Sequence, residues 1–357
     1  MSEVPPHVTE LAELRAEARN NRDYAGADAL RDEIEAEGWL VRDTGDGFEL
    51  TPKPPFEVWP TVSSVPVPGK GGRPGDQAAS PGSGLVGRSD ENEGDPERMI
   101  FSQLLWDASL SVSRLDETIT PAEHEEPVVP PTVTVGLVVD GWPDDLRDCV
   151  RALVAHTEAR IICLDLGDVD GAGAVLEELA EEFPHRVEAW HVAETPHWQG
   201  GSAGWGESRT KLLELDTSDV HVVMETSTIL DGDAITPLVR ELADDVVAAG
   251  WKGVDPGADG HEWHDAGPGE VRGLLGHLFA VRRDAALAAG GFPAEANYYR
   301  NADLEFSLRL PGTLVALGDD LPVHEERHRG YHDVDPGYRD KESRRTYDRV
   351  LGLLRDT

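Results

Sequence analysis

Cysteine is nearly absent. Cys149 and Cys163 are the only two, both inside apolar stretches, which excludes a disulfide framework and a cysteine-built zinc site and suits a reducing compartment. Lysine is almost as scarce, confined to Lys53, Lys70, Lys211, Lys252 and Lys341. Basic residues number 32 against 69 acidic ones, a formal net charge of −37. So acidic a surface argues against a polyanion such as nucleic acid as main partner, and against docking on an anionic membrane. The lysine shortage reads as compositional bias, with a salt-adapted origin as the alternative, and carries no mechanism. No run of 18 apolar residues occurs, and "MSEVPPHVTELAELRAEARN" lacks an apolar core of signal-peptide type. The expected location is the cytoplasm. What remains is a chain of 357 residues, long enough for a sizeable core and more than one unit.

Residues 1–52 form the first stretch. Leu11 and Leu14, then Ala27, Leu30 and Ile34, fall at helical spacing, and Asn20-Asn21 divides them into two short helices. Gly38 is a natural stop, and "WLVRDTGDGFEL" alternates into and out of an Asp/Gly turn, a hairpin signal. Residues 53–98 are dominated by Pro, Gly, Ser and acids without periodicity, which predicts a disordered linker. Residues 99–129 read as a helical connector with Ile100, Leu104, Leu105 and Leu110 on its apolar side. From 130 to 357 strands alternate with helices of 10 to 15 residues: "TVTVGLVV", "ARIICLDLG", "RVEAWHV" and "VHVVM" are the strands. That order predicts an α/β fold, a mostly parallel sheet with helices on both faces, and ligands at the carboxyl ends of the strands. Asp140, Asp165 with Asp168 and Asp170, and Glu225 stand at those ends.

Two resemblances sharpen this reading. "RAEARNNRDYAGADALRDEIEAEGWLVRDTGDG" resembles the extreme C-terminal segment of cysteinyl-tRNA synthetases, through Arg15, Glu17, Ala18, Arg19, Asp23, Ala27, Asp28, Leu30, Arg31, Asp32, Gly38, Asp43 and Thr44. The catalytic signatures and zinc-ligand cysteines of those enzymes are absent, so aminoacylation is not implied. RNA contact would be the inherited expectation. Acids outnumber arginines here, and a helical docking module for a protein partner is favoured over RNA.

The larger part, from Thr132 nearly to the end, resembles the family 2 glycosyltransferases of GT-A (Rossmann-like) fold. "CLDLGDVDGAG" is similar to the strand ending in Asp, "GESRTKLLELDTSDV" to the A-R-N segment, and "GLLGHLFAVRRDAALAAGGFP" to the block ending in GGF. "NADLEFSLRL" is similar to E-D-x-D-L-S-L-R-L, and "VALGDDLPVHEERHRGY" to the terminal strand with its His. The resemblance implies a nucleotide-sugar-dependent enzyme performing an inverting transfer to an unknown hydroxyl acceptor.

Carried over residue by residue, it implies Asp303 as catalytic base, with Ala302 replacing the neighbouring acid; the alternative is an Asp that caps its helix. Glu305 is implied to hold the acceptor, while Trp263 and His264, in the Gly-rich "HEWHDAG", either line the acceptor side or anchor a loop. Asp165, with Asp168 and Asp140, is implied on the nucleotide side, or else "GDVDG" is only a turn. Arg209 either lies near the pyrophosphate or makes a surface salt bridge. The family's metal-binding D-x-D is here Glu225-Thr226-Ser227. Three readings stand: a weakened Mn²⁺ or Mg²⁺ site of Glu225, Ser227 and His324, metal-independent transfer aided by Arg, or an inactive GT-A-fold binding or scaffold protein. Asp231 and Asp233 read as caps. "HEERH" fits the H-E-x-x-H protease pattern only if helical, and is read instead as part of a strand and loop, with His328 and His332 either extending a metal site or solvated.

Overall fold

The computed structural model describes residues 4–20, 23–44, 47–68, 130–257, 262–327 and 329–355. The connector at 99–129, the expected linker beyond residue 68, and His328 lie outside them.

In the amino-terminal module, α1 (Pro6–Asn20) and α2 (Tyr24–Ala36) pack on an antiparallel hairpin of β1 (Trp39–Thr44) and β2 (Gly47–Pro52). Asp23 caps α2 by accepting the Gly26 N–H at 3.0 Å, and Gly38 takes the positive φ that turns the chain into β1. Of the expected Leu11–Leu14 pair, Leu11 packs half-buried against the module's core and Leu14 does not. Val8, Ala12 and Arg15 point inward at i, i+4, i+7 spacing towards Ile34 and Trp39, and Leu14 is 52% exposed.

The expected linker begins later than residue 53. Val58–Trp59 forms β3, pairing in parallel with β6 (Val187–Val192), and Val62 and Val65 enter the core beneath. Glu194 accepts the Val62 N–H at 2.7 Å, and Lys211 donates to the carbonyls of Ser63 and Val65. Two valines three apart supply the apolar surface that the composition of the whole segment concealed.

The remainder alternates. β4 (Val133–Val139), α3 (Pro143–His156), β5 (Arg160–Leu166), α4 (Ala172–Glu182), β6, α5 (Trp205–Leu215) and β7 (Val220–Met224) follow one another. Then come β8 (Thr228–Leu230), α6 (Ile235–Arg240), β9 (Val246–Gly250), β10 (Gly253–Pro256) and β11 (Trp263–Ala266). β12 (Gly269–Val271), β13 (Gly273–Leu274), β14 (Leu278–Arg282), α7 (Arg283–Ala288) and α8 (Ala302–Ser307) lead to β15 (Thr313–Ala316). β16 (Val323–Glu325), α9 (Arg329–His332) and α10 (Pro336–Arg355) close the chain. The large sheet runs β12-β15-β9-β14-β7-β4-β5-β6-β3. Pairing is mostly parallel, with β14 antiparallel to both neighbours and β12 antiparallel at one edge. This is the expected α/β sheet.

Alternation within the strands assigns the two faces. Val135, Leu137, Val139, Ile161 and Cys163 meet α3 and α4, while Val138, Ile162 and Leu164 meet Leu212 and Leu215 of α5. With both faces covered, the strands read as continuous apolar runs. β4 has β5 on one side and β7 on the other, so the order reverses there. A crevice opens at such a switch point, beyond the carboxyl ends of the two strands.

One polar pair lies inside the sheet. His221 on β7 and Asp216 are both fully buried, with Nδ1 and Oδ2 2.8 Å apart. Burial alone would raise the Asp216 carboxyl, but the His221 hydrogen bond and charge and the Ser218 contacts outweigh it and hold it below its ordinary value. Gly136 on β4 leaves room for the ring, since a Cβ there would lie 2.7 Å from His221. His221→Ala leaves the Asp216 carboxyl buried with only its Ser218 contacts. Urea unfolding is expected to show a loss of roughly 3–5 kcal/mol, and an unchanged midpoint would contradict the pairing.

Candidate active site

The switch point carries Asp140 after β4 and Glu225 after β7. Arg209 of α5 ties Glu225 to the sheet. It is fully buried and donates to the Gly136 carbonyl at 2.8 Å, the Met224 carbonyl at 3.0 Å and Glu225 Oε1 at 2.9 Å. The ring of Trp205 lies 5.4 Å from the guanidinium carbon. Arg209 is therefore neither beside an open pyrophosphate position nor at the surface. It is a buried post that fixes Glu225.

Two cavities meet at Glu225, Trp205 and Tyr299. The first, about 40 Å³, is bounded by Asp140, Trp142, Trp198 and the triplet Glu225-Thr226-Ser227. Trp142 and Trp198 stack with centroids 5.3 Å apart, and Trp198 Nε1 donates to Asp140 Oδ2 at 3.0 Å. Trp142 holds a left-handed φ of 53°, an uncommon state for a bulky residue, where the chain turns from β4 into α3. Burial, with the charge of Glu225 next, raises the Asp140 carboxyl to about 6, against the opposing effects of Trp198 and Arg209.

The second cavity, about 310 Å³, is bounded by Glu225, Gly276, His277, Arg300, Asn301 and Asp303. Asp303 is 9% exposed and sits in the first turn of α8, where Asn301 is the N-cap residue. It does not act as a cap. Its Oδ2 accepts the Gly276 N–H at 2.8 Å and its Oδ1 the Leu304 N–H at 2.9 Å. Burial raises it to about 6 against those two hydrogen bonds, and Glu225 adds to the rise. A carboxyl poised there accepts protons readily near neutral pH.

Several expected site residues are engaged elsewhere. Asp165 is 1% exposed and is consumed within the fold: Oδ2 lies 3.1 Å from His191 Nδ1 and Oδ1 accepts the Asp168 N–H. Phe56, just before β3, stacks on His191 at 3.9 Å. Asp165 borders neither cavity, so Asp165, Glu225 and Asp303 do not share one cleft; Asp140, Glu225 and Asp303 line the joined pair. Asp168 accepts the Ala174 N–H, as a turn residue does. Glu305 is fully buried between Arg309 and Arg349 at 2.6–3.0 Å and holds α10 to α8 instead of facing an acceptor. Trp263 packs with Val254, Leu304 and Val350, and His264 is exposed on β11; neither borders a cavity.

His324 is also displaced from its expected role. It lies on β16, half exposed, 2.7 Å from Asp231 and outside both cavities, and Asp231 raises its pKa. Asp231 thus pairs with a histidine, while Asp233 does cap α6. With His324 on a strand, H-E-x-x-H has no helical face. His332 is exposed on the short α9. Among the described residues no group of three or more His, Cys, Asp or Glu is arranged to hold a metal ion. Glu225 has a fixed guanidinium at 2.9 Å matching its charge, and Ser227 supplies only a neutral oxygen. That donor set does not fit a resident divalent ion.

Sequence reasoning missed Trp142, Trp198, Tyr299, His277 and Arg300. The available signal was a tryptophan directly after a strand, in "DGWP", and another in the loop "PHWQGG".

Residues 1–49 match the family model described as the cysteinyl-tRNA ligase anticodon binding domain. The chain is 53% identical over 51 residues to the cysteine–tRNA ligase of Opitutus terrae, covering 14% of this chain and 11% of that protein. It is 48% identical over 48 residues to cysteine–tRNA ligase 1 of Burkholderia lata, 13% of this chain and 10% of that one. The chain thus spans about a tenth of the length of these relatives. Among solved structures, the mannosyltransferase PcManGT of Pyrobaculum calidifontis, in complex with GDP-Man and Mn²⁺, matches at 16% identity and TM-score 0.45, covering 58% of this chain and 60% of that one. GalNAc-T7 with UDP, GalNAc and Mn²⁺ matches at 16% identity and TM-score 0.47, over 62% and 48%. TarS of S. aureus matches at 14% and 0.42, over 57% and 38%. No described helix is long and apolar enough to cross a membrane.

The raised carboxyl of Asp303 has a consequence for stability. Its ordinary value is 3.8 and its folded value about 6, so between these the native state keeps a proton that the unfolded chain has lost. Stability therefore falls as pH rises through that window. Asp303→Asn removes this contribution. Urea unfolding at pH 3.5 and pH 7.5 should show the variant losing up to about 3 kcal/mol less than wild type across the interval. Equal losses would place the Asp303 carboxyl at its ordinary value.

Proposed function

We propose that residues 130–357 are a glycosyltransferase domain that moves a sugar from a nucleotide-diphosphate sugar to a hydroxyl acceptor with inversion. The observation that carries this reading is Asp303, a carboxyl raised to about 6, held by two backbone N–H groups on a cavity of about 310 Å³ beside Glu225. Asp303 takes the proton of the acceptor hydroxyl as its oxygen attacks the anomeric carbon. The bond from that carbon to the diphosphate breaks from the opposite face, and the diphosphate leaves with the electron pair. Arg300 and His277, on the same cavity, are the groups that meet its charge. No step is routed through a metal ion. The amino-terminal module is read as a docking module for a protein partner rather than for RNA.

A second reading, a GT-A-fold binding protein without transfer activity, is favoured by one set of contacts. Asp165 is committed to His191, and Arg209 is sealed beneath Glu225.

The test incubates the chain with UDP-, GDP- and dTDP-sugars, with and without Mn²⁺, and follows release of nucleoside diphosphate. Release is expected, and Asp303→Asn should reduce it by about 100-fold or more, the usual weight of a positioned base. Glu305→Gln should lower the melting temperature while leaving the rate per folded molecule within a few-fold. Absence of both release and any nucleotide-induced rise in melting temperature would favour the second reading.

A further inference from the structure

The smaller cavity has a chemistry that sugar transfer does not use. Asp140 is a half-buried carboxylate whose side-chain partner is the neutral indole N–H of Trp198, on Oδ2. Opposite it, Glu225 has Oε1 engaged by Arg209. Each carboxylate keeps a second oxygen to offer. Ser227 lines the same cavity, is 4% exposed, and its buried Oγ has no hydrogen-bond partner in the fold. A buried hydroxyl without a partner costs free energy unless something arrives to meet it.

We infer that this cavity, between the carboxyl ends of β4 and β7, is a binding site for a primary ammonium group. Three oxygens, from Asp140, Glu225 and Ser227, match the three N–H donors of such a group. Arg209 already offsets Glu225, the Asp140 carboxylate is met only by the neutral Trp198 N–H, and Asp145 also lines the cavity, so the site favours a positive charge. Trp142, Trp198 and Tyr299 wall the space with aromatic faces, which attract an organic cation and cover its carbon stem. At about 40 Å³ the cavity has room for an ammonium head. The inference does not rest on sugar transfer.

The test titrates ethanolamine into the full chain at pH 7.5, without any nucleotide sugar, by tryptophan fluorescence and calorimetry. Ethylene glycol, tetramethylammonium and MnCl₂ are the comparison ligands. Saturable ethanolamine binding is expected, at least about 10-fold tighter than either organic comparison ligand, because glycol lacks the charge and tetramethylammonium lacks the donors. Asp140→Asn should weaken it about 10-fold or more, and Ser227→Ala, which preserves the shape of the cavity, about 2- to 10-fold. Melting curves of both variants establish that they fold. Ethanolamine binding no tighter than glycol, equal binding by tetramethylammonium, or two folded variants that bind like wild type would each overturn the site. Mn²⁺ binding lost in Asp140→Asn, with no ethanolamine binding, would assign the cavity to a divalent ion and overturn it equally.

Discussion

The buried guanidinium of Arg209 joins the two strands whose carboxyl ends form the cleft. It bonds the carbonyl of Gly136 within β4, the carbonyl of Met224 at the end of β7, and the carboxylate of Glu225 beyond it. A buried charge is tolerated only when its partners are in place, so the three contacts stand or fall together. The same contact that fixes Glu225 also spends part of its charge. An acidic strand end that elsewhere would attract a metal ion is here half of an ion pair, while Asp140 has only a neutral indole N–H against its charge.

Around that post, tryptophan and tyrosine set the character of the cleft. Trp205 lies over Arg209 and packs edge-on against Phe292, and Trp142 stacks on Trp198. Burial raises both the Asp140 and the Asp303 carboxyls, while backbone N–H groups on Asp303 moderate the rise. The smaller cavity thus presents Asp140 and Asp145 and the larger Asp303, and Glu225 borders both. The larger offers a proton acceptor and the smaller a seat for positive charge.

The segment before the sheet is part of the architecture. Phe56 covers the His191–Asp165 pair, and Val62 and Val65 complete the core under β6. Asp165 is thereby converted from a strand-end acid into a buried structural group. Glu305 has a similar fate between Arg309 and Arg349. Acids expected at a site can serve their packing partners alone.

The sequence by itself determined the first four strands of residues 130–357 and the helices between them. Apolar runs such as "VTVGLVV" and "VHVVM" are local signals of doubly covered strands, and the alternation with amphipathic helices leaves few topologies open. It also determined that Asp140, Glu225 and Asp303 end or begin elements, which is where ligand chemistry gathers. Only the tertiary structure decided which of the acids face solvent-sized space. That depends on partners distant in sequence: Trp198 for Asp140, His191 and Phe56 for Asp165, Gly276 for Asp303, Arg349 for Glu305. A side chain's neighbours across the fold fix its burial and its charge, and no local pattern of residues carries that information.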